Sequence, residues 1–338
     1  MHASGGLKIS VCDEEVRGFR HQKTVCSEGI APPADLDCRT MASPADEVKD
    51  SGPHLVKEEN SSDEAKSDDA WKRQDDLVIA QTNEISQAVC NAQDLLGHKE
   101  PLSKLLPEYE GNPKPGFAKG VQDLMKRYPS MRRVRGDGNC FYRSFLFALL
   151  EGLLGGLSAG EQQPATVEKA RADLGRVKAN IVGSKALLLS LGYSEVAIDM
   201  FWEEFVEALE KLPEKTLQQL QEEFREEGGN CEFLVWYCRL LTSGYLKLHR
   251  ERFEPFIATG ESMDAFCARE VEPNGKECEQ VQIIALCEHL DTPVRIEYLD
   301  GQDFEGQLGS ITLPETGGQP AMMSLLYRPG HYDILYAT

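Results

Sequence analysis

Apolar positions along this chain change their spacing three times, and each change marks a boundary. Up to residue 69 they follow no period, and stretches such as APPADLD, ASPADEVKDSGPH and KEENSSDEAKSDD mix breakers with acids. Such a segment buries too little apolar surface to offset its ordering entropy, so residues 1–69 read as a disordered acidic tail. From Trp71 onward Leu77, Val78, Ile85, Val89, Ala92, Leu95 and Leu96 fall largely on one stripe at helical spacing before Gly97. The spacing predicts an amphipathic helix over 70–98, at the edge of a main domain spanning 99–338.

Inside that domain FAKGVQDLMKRYP reads as a short helix stopped by Pro129, and MRRVRG as extended chain. The run CFYRSFLFALLEGLLGG is apolar nearly all round, and a helix of that kind belongs in the middle of a core. Three helices follow in TVEKARADLGRVKANIV, SEVAIDMFWEEFVEALEKL and CEFLVWYCRLLTSGYLKL. The last third changes character: VQIIALCEHL is helical, whereas PVRIEYL, AMMSLLYR and YDILYA alternate as strands, the last two joined by a tight Pro-Gly corner. Helices first and strands last point to an α/β (α+β) domain, with a small, mainly antiparallel sheet packed with helices.

Composition narrows the partners. Thirty-six Lys and Arg face 56 Asp and Glu, a net charge of −20, which argues against nucleic acid and against an anionic membrane. A basic partner fits better. No apolar run near the N-terminus resembles a signal peptide, and the expectation is a cytoplasmic protein with access to the nucleus. The ten cysteines show no CxxC pair and no zinc-like clustering with histidine, so no metal, cofactor or disulfide framework is expected.

One cysteine stands apart. Gly136-Asp137-Gly138-Asn139 forms a tight loop just before the buried helix that Cys140 opens. At a helix start the free N–H groups and the dipole favour thiolate over thiol, and the same N–H groups suit the oxyanion of an acyl intermediate. Taken alone, a cysteine there is more often a small core residue. A nucleophile needs a base, and His331 lies in Arg328-Pro329-Gly330-His331-Tyr332-Asp333. On a strand, residues two apart share a face, so Asp333 would fix the imidazole tautomer and leave the other nitrogen for Cys140. Each half is ambiguous by itself; together they have the residue types of a thiol hydrolase.

The run GDGNCFYRSF, followed far downstream by LLYRPGHYDILY, resembles the ovarian-tumour class of deubiquitinases and, more narrowly, the otubains. LVWYCRLLTSGYLKL, FIATGESMDAFCAREVEPNGKE and VQIIALCEHL extend the resemblance from about residue 71 to the C-terminus. It implies a papain-like cysteine protease fold of the ovarian-tumour type that cuts ubiquitin isopeptide bonds without a cofactor. Cys140 would then be the nucleophile, His331 the general base and then acid, and Asp333 the residue that orients His331. Asp137 counts in that family as part of the site; a second carboxylate beside a thiolate would oppose its ionisation, so its role here is read as loop shape and a backbone amide at the oxyanion. The implied partners are ubiquitin and polyubiquitin chains, with the chain linkage that marks proteins for the proteasome preferred, and ubiquitin-conjugating enzymes. The resemblance would also make the 70–98 helix a ubiquitin-binding element. A second implied mode is a non-catalytic regulator that holds ubiquitin and inhibits a conjugating enzyme. The chain departs from the otubains at Glu279-Gln280-Val281-Gln282, where they carry an Asp-His-Ile-His-like run.

Overall fold

The computed structural model describes residues 93–337 apart from 161–162, 258–259 and 316–319. The acidic tail and the expected helix up to residue 92 lie outside the described residues. Where that helix was expected to end, the chain is extended instead. Leu96–Pro101 is strand β1, paired antiparallel with β2 (Ser130–Val134) through Leu96↔Val134 and Pro101↔Ser130. Leu95 and Leu96 are 3% and 0% exposed, so the core begins before residue 99. The apolar pair that closed the helical stripe is anchored by a strand partner far along the chain, which no local period reveals.

After β1 come a 3₁₀ stretch (Leu102–Tyr109) and helix α1 (Gly116–Leu124), then β2, and then α2 (Cys140–Leu157). The helical middle consists mainly of α3 (Pro164–Ser190), α4 (Glu195–Lys211) and α5 (Asn230–Leu248). Helix α6 (Gln280–Leu290) leads into β3 (Val294–Tyr298), β4 (Ser310–Leu313), β5 (Met323–Arg328) and β6 (His331–Tyr336). The six strands among the described residues form one sheet in the order β1-β2-β6-β5-β3-β4. Only β3 with β5 is parallel; the other four pairings are antiparallel.

Helix α2 is apolar and long enough to match a membrane span by composition, but 72% of it is buried inside the molecule. It lies between β5 and β6 on one side and α3 and α5 on the other. Alternation along β6 then sorts its side chains: Tyr332, Ile334 and Tyr336 pack in the core around α2. Leu335 faces a second cluster on the other side of the sheet, built from Leu102, Leu105, Phe117 and Val121. His331 and Asp333 share the parity of Leu335 and so belong to that second face. Removing a fully buried leucine from either cluster would cost roughly 2–5 kcal/mol, so both faces of the sheet, and with them the strand that carries His331, are held by packing.

Candidate active site

The loop before α2 is held from two directions. Asp137 Oδ1 accepts the Asn139 N–H at 2.9 Å, an Asx-type turn, and the Arg143 guanidinium bridges both carboxylate oxygens at 3.0 and 2.7 Å. With its lone pairs engaged in this way, Asp137 ties the loop to the first turn of α2. Gly138 adopts a φ of +76°, and a Cβ there would lie 2.0 Å from the Gly275 carbonyl oxygen. The loop therefore needs glycine at that point, both for conformation and for space. Cys140 follows as the first residue of α2, only 4% exposed.

His331 opens β6 directly after the Pro329-Gly330 corner, where Gly330 takes the positive φ of 72° that such a turn requires. Its Nε2 lies 2.8 Å from Asp333 Oδ1. An ionised carboxylate only accepts, so Nε2 carries the proton and Nδ1 is the nitrogen left for chemistry. Gly136 lies against that edge of the ring, since a Cβ there would sit 3.4 Å from Nδ1. The imidazole thus faces the loop that carries Cys140, close enough for the thiol to act on its protonation. Burial pulls the imidazole down, but the hydrogen bonds and negative charge of Asp333 and Cys140 outweigh it and push His331 up to about 9.

Asp333 is 0% exposed, in the middle of the sheet. It accepts from the Val134 N–H at 3.1 Å and from Arg328 Nη2 at 2.7 Å, besides His331. Burial alone would raise this carboxyl; the bond to His331 and the Arg328 charge hold it below the usual range. Arg328 in turn reaches Glu108 at 3.1 Å. A cleft of about 610 Å³ opens beside this group, lined among others by Gln93, Tyr109, Phe117, Gly136, Arg328 and His331.

All four residues singled out from the sequence lie in this region: Cys140, His331 and Asp333 in one line of contacts, Asp137 in the loop beside them. Sequence reasoning missed Arg328, although RPGHYD carries a signal for it. A two-residue turn pairs Arg328 with His331 and Leu326 with Asp333, which leaves Arg328 diagonal to Asp333 on one face. Arg143 and Arg239 were missed because nothing local marks a buried arginine. At Glu279-Gln280-Val281-Gln282 the structure has a helix cap: the Glu279 side chain accepts from a backbone N–H, and the Glu279 N–H donates to Gln282 Oε1 at 2.9 Å. The other five cysteines among the described residues are all pushed up by burial, Cys267 to about 11 and Cys231 to about 12.

With this geometry in hand, comparison with known proteins gives a consistent picture. The family model described as peptidase C65 otubain matches residues 88–337. Ubiquitin thioesterase OTUB1 of Homo sapiens is 36% identical over 263 residues, covering 78% of this chain and 90% of that protein. An Arabidopsis thaliana protein, ovarian tumor domain-containing deubiquitinating enzyme 1, is 33% identical over 261 residues, covering 71% of this chain and 80% of its own. Among solved structures, h/ceOTUB1 in complex with ubiquitin aldehyde and UBCH5B~Ub matches with a TM-score of 0.70 at 30% identity, over 79% of this chain and 99% of that one. A ceOTUB1 complex with ubiquitin aldehyde and UBC13~Ub matches with a TM-score of 0.67 at 29% identity, over 77% and 98%.

Proposed function

Since this chain belongs to the otubain family of cysteine peptidases, we propose that it is a thiol-dependent deubiquitinase acting on the isopeptide bond between a ubiquitin C-terminus and a lysine. The observation that carries this reading is the line Cys140, His331, Asp333 with its ring orientation set by one 2.8 Å bond. His331 Nδ1 takes the Cys140 thiol proton, and the sulfur attacks the carbonyl carbon of the C-terminal glycine, forming a C–S bond while the carbonyl oxygen takes the negative charge. The N–H groups of the first turn of α2, which have no acceptor within the helix, are the donors for that oxyanion. As the tetrahedral centre collapses, the C–N bond breaks and the imidazolium gives its proton to the departing lysine amine. Water then attacks the thioester, His331 takes the proton, and the thiol is released. Asp333 holds the ring throughout, and Asp137 keeps the loop in shape.

Ubiquitin chains are the substrates this reading calls for, with the proteasome-targeting linkage preferred. The relatives solved with ubiquitin aldehyde support ubiquitin as partner, and those solved with UBCH5B~Ub and UBC13~Ub favour a second mode, in which the protein binds a charged conjugating enzyme and blocks it without cleavage. A panel of di-ubiquitin linkages, run beside an assay of ubiquitin transfer from a charged conjugating enzyme, tests both. Cleavage of at least one linkage that is lost in Cys140→Ala is the expected result. No cleavage of any linkage, with inhibition of a charged conjugating enzyme retained in Cys140→Ala, would leave the regulatory mode alone.

A further inference from the structure

We propose that Arg239 is a positioning residue that locks the Gly136–Asn139 loop, and with it Cys140, against the wall formed by residues 271–276. It rests on the peptidase reading above only in the substrate used to measure it. Arg239 belongs to α5, is 1% exposed, and forms no ion pair with a carboxylate among the described residues. Every nitrogen of its guanidinium is spent on a neutral oxygen. Nε and Nη2 both donate to Asn139 Oδ1, at 3.0 and 2.7 Å, and Nη2 also reaches the Gly138 carbonyl at 2.8 Å. On the other side Nη1 donates to the Val271 carbonyl at 3.0 Å and Nη2 to that of Lys276 at 2.6 Å. The Gly275 N–H closes the ring of contacts by donating to Asn139 Oδ1 at 3.2 Å. The guanidinium lies 4.6 Å from the centre of the Tyr142 ring, in the first turn of α2.

Burying a cation without a counter-charge is costly, and a neutral residue of similar shape would serve packing alone better. What the planar fork adds is direction: it ties two oxygens of the nucleophile loop to two of the opposite wall. The loop needs that. Gly138 must be glycine because Gly275 leaves no room for a Cβ, yet glycine has little preference of its own between left- and right-handed backbone. Left to itself, the Gly138–Asn139 peptide is free to turn over and carry Cys140 and the first N–H groups of α2 with it. Arg239, by holding the Gly138 carbonyl and the Asn139 side chain together, removes that freedom. Glu277, two residues past Gly275, approaches within 3.3 Å of where a Gly330 Cβ would be, so the same wall also touches the corner that carries His331.

A purely structural arginine and a positioning one separate in kinetics. Arg239→Lys keeps charge and stem but not the fork; Asn139→Ala removes the shared acceptor; Asn139→Asp keeps it and adds a charge partner. The first two should lower kcat on di-ubiquitin roughly 10- to 100-fold with KM changed less than about threefold, the size expected from misplacing a reacting group by about an ångström. Asn139→Asp should recover most of the rate. Alkylation of Cys140 by iodoacetamide across pH 6 to 10 needs no ubiquitin and reads the same alignment: Arg239→Lys and Asn139→Ala should move the pH profile. Should Arg239→Lys fail to fold, Asn139→Ala carries the comparison with Asn139→Asp. Wild-type kcat and an unmoved alkylation profile in the folded variants would overturn the proposal. So would a loss confined to melting temperature or to KM. A moved alkylation profile in a protein that cleaves no ubiquitin chain would uphold the clamp and reject the substrate.

Discussion

Asp333→Asn isolates the contribution of the buried carboxylate. The side chain is fully enclosed and receives three donors, from Val134, His331 and Arg328. Asparagine keeps the shape, loses the charge, and has one acceptor oxygen where the carboxylate has two. In the wild type His331 stands at about 9 against an ordinary 6.5, a gap of 9 − 6.5 = 2.5. That gap corresponds to about 3 kcal/mol in favour of imidazolium. Burial works against the charged ring, so once Asp333 is neutral the imidazole falls by roughly a full pH unit or more. Hydrolysis of a ubiquitin C-terminal fluorogenic amide, followed from pH 5.5 to 10, should show kcat reduced roughly 10²-fold or more, with KM little changed. The alkaline limb of kcat/KM, near 9 in the wild type, should move below about 8. Stability follows with a definite sign: a raised imidazole stabilises the fold fully below pH 6.5, and the contribution is lost as pH rises through about 9. Wild-type melting temperature should therefore fall across that window, and the variant should be flatter. A wild-type rate with an unmoved alkaline limb in Asp333→Asn, alongside an inactive Asp137→Asn, would refute the assignment and pass the orienting role to Asp137.

Three further outcomes are expected. Gly138→Ala has to place a left-handed alanine, costing about 1–2 kcal/mol before the clash with Gly275 is relieved; most activity and several degrees of melting temperature should go, and an unchanged enzyme would mean the loop is not held as described. Burial and the neighbouring His249 hold the His289 imidazole down at about 4, so the unfolded chain takes up a proton first and stability drops as pH falls from 6.5 toward 4; thermal melts should show His289→Leu flatter than wild type in that range, and an equal slope would contradict it. Deleting residues 1–92 leaves Leu95 and Leu96 in place, so the shortened protein should fold and react with ubiquitin bearing a C-terminal electrophile as fast as the full chain, yet cleave di-ubiquitin more slowly if the deleted segment holds the second ubiquitin; equal cleavage would remove that role.

What the sequence alone determined about this protein lies within reach of short-range rules. The 3.6-residue pattern located α1 to α6, and the all-apolar run of α2 told of a central helix. Two-residue alternation put His331 and Asp333 on one face of β6, and a glycine loop before a helix marked Cys140. These follow from backbone geometry that each segment carries by itself. The tertiary structure decided the rest. It turned Leu96–Pro101 into a strand, because the hydrogen bonds of an edge strand are supplied by a partner outside the segment, and LGHKEP has no alternation to announce it. It also brought Arg328 onto Asp333, Arg143 onto Asp137 and Arg239 onto Asn139. A long cation reads in sequence as a solvated one. Only the packed chain shows that its fork has been taken out of water and given oxygens to hold, and in this molecule those three forks keep the thiol, the loop and the imidazole in register.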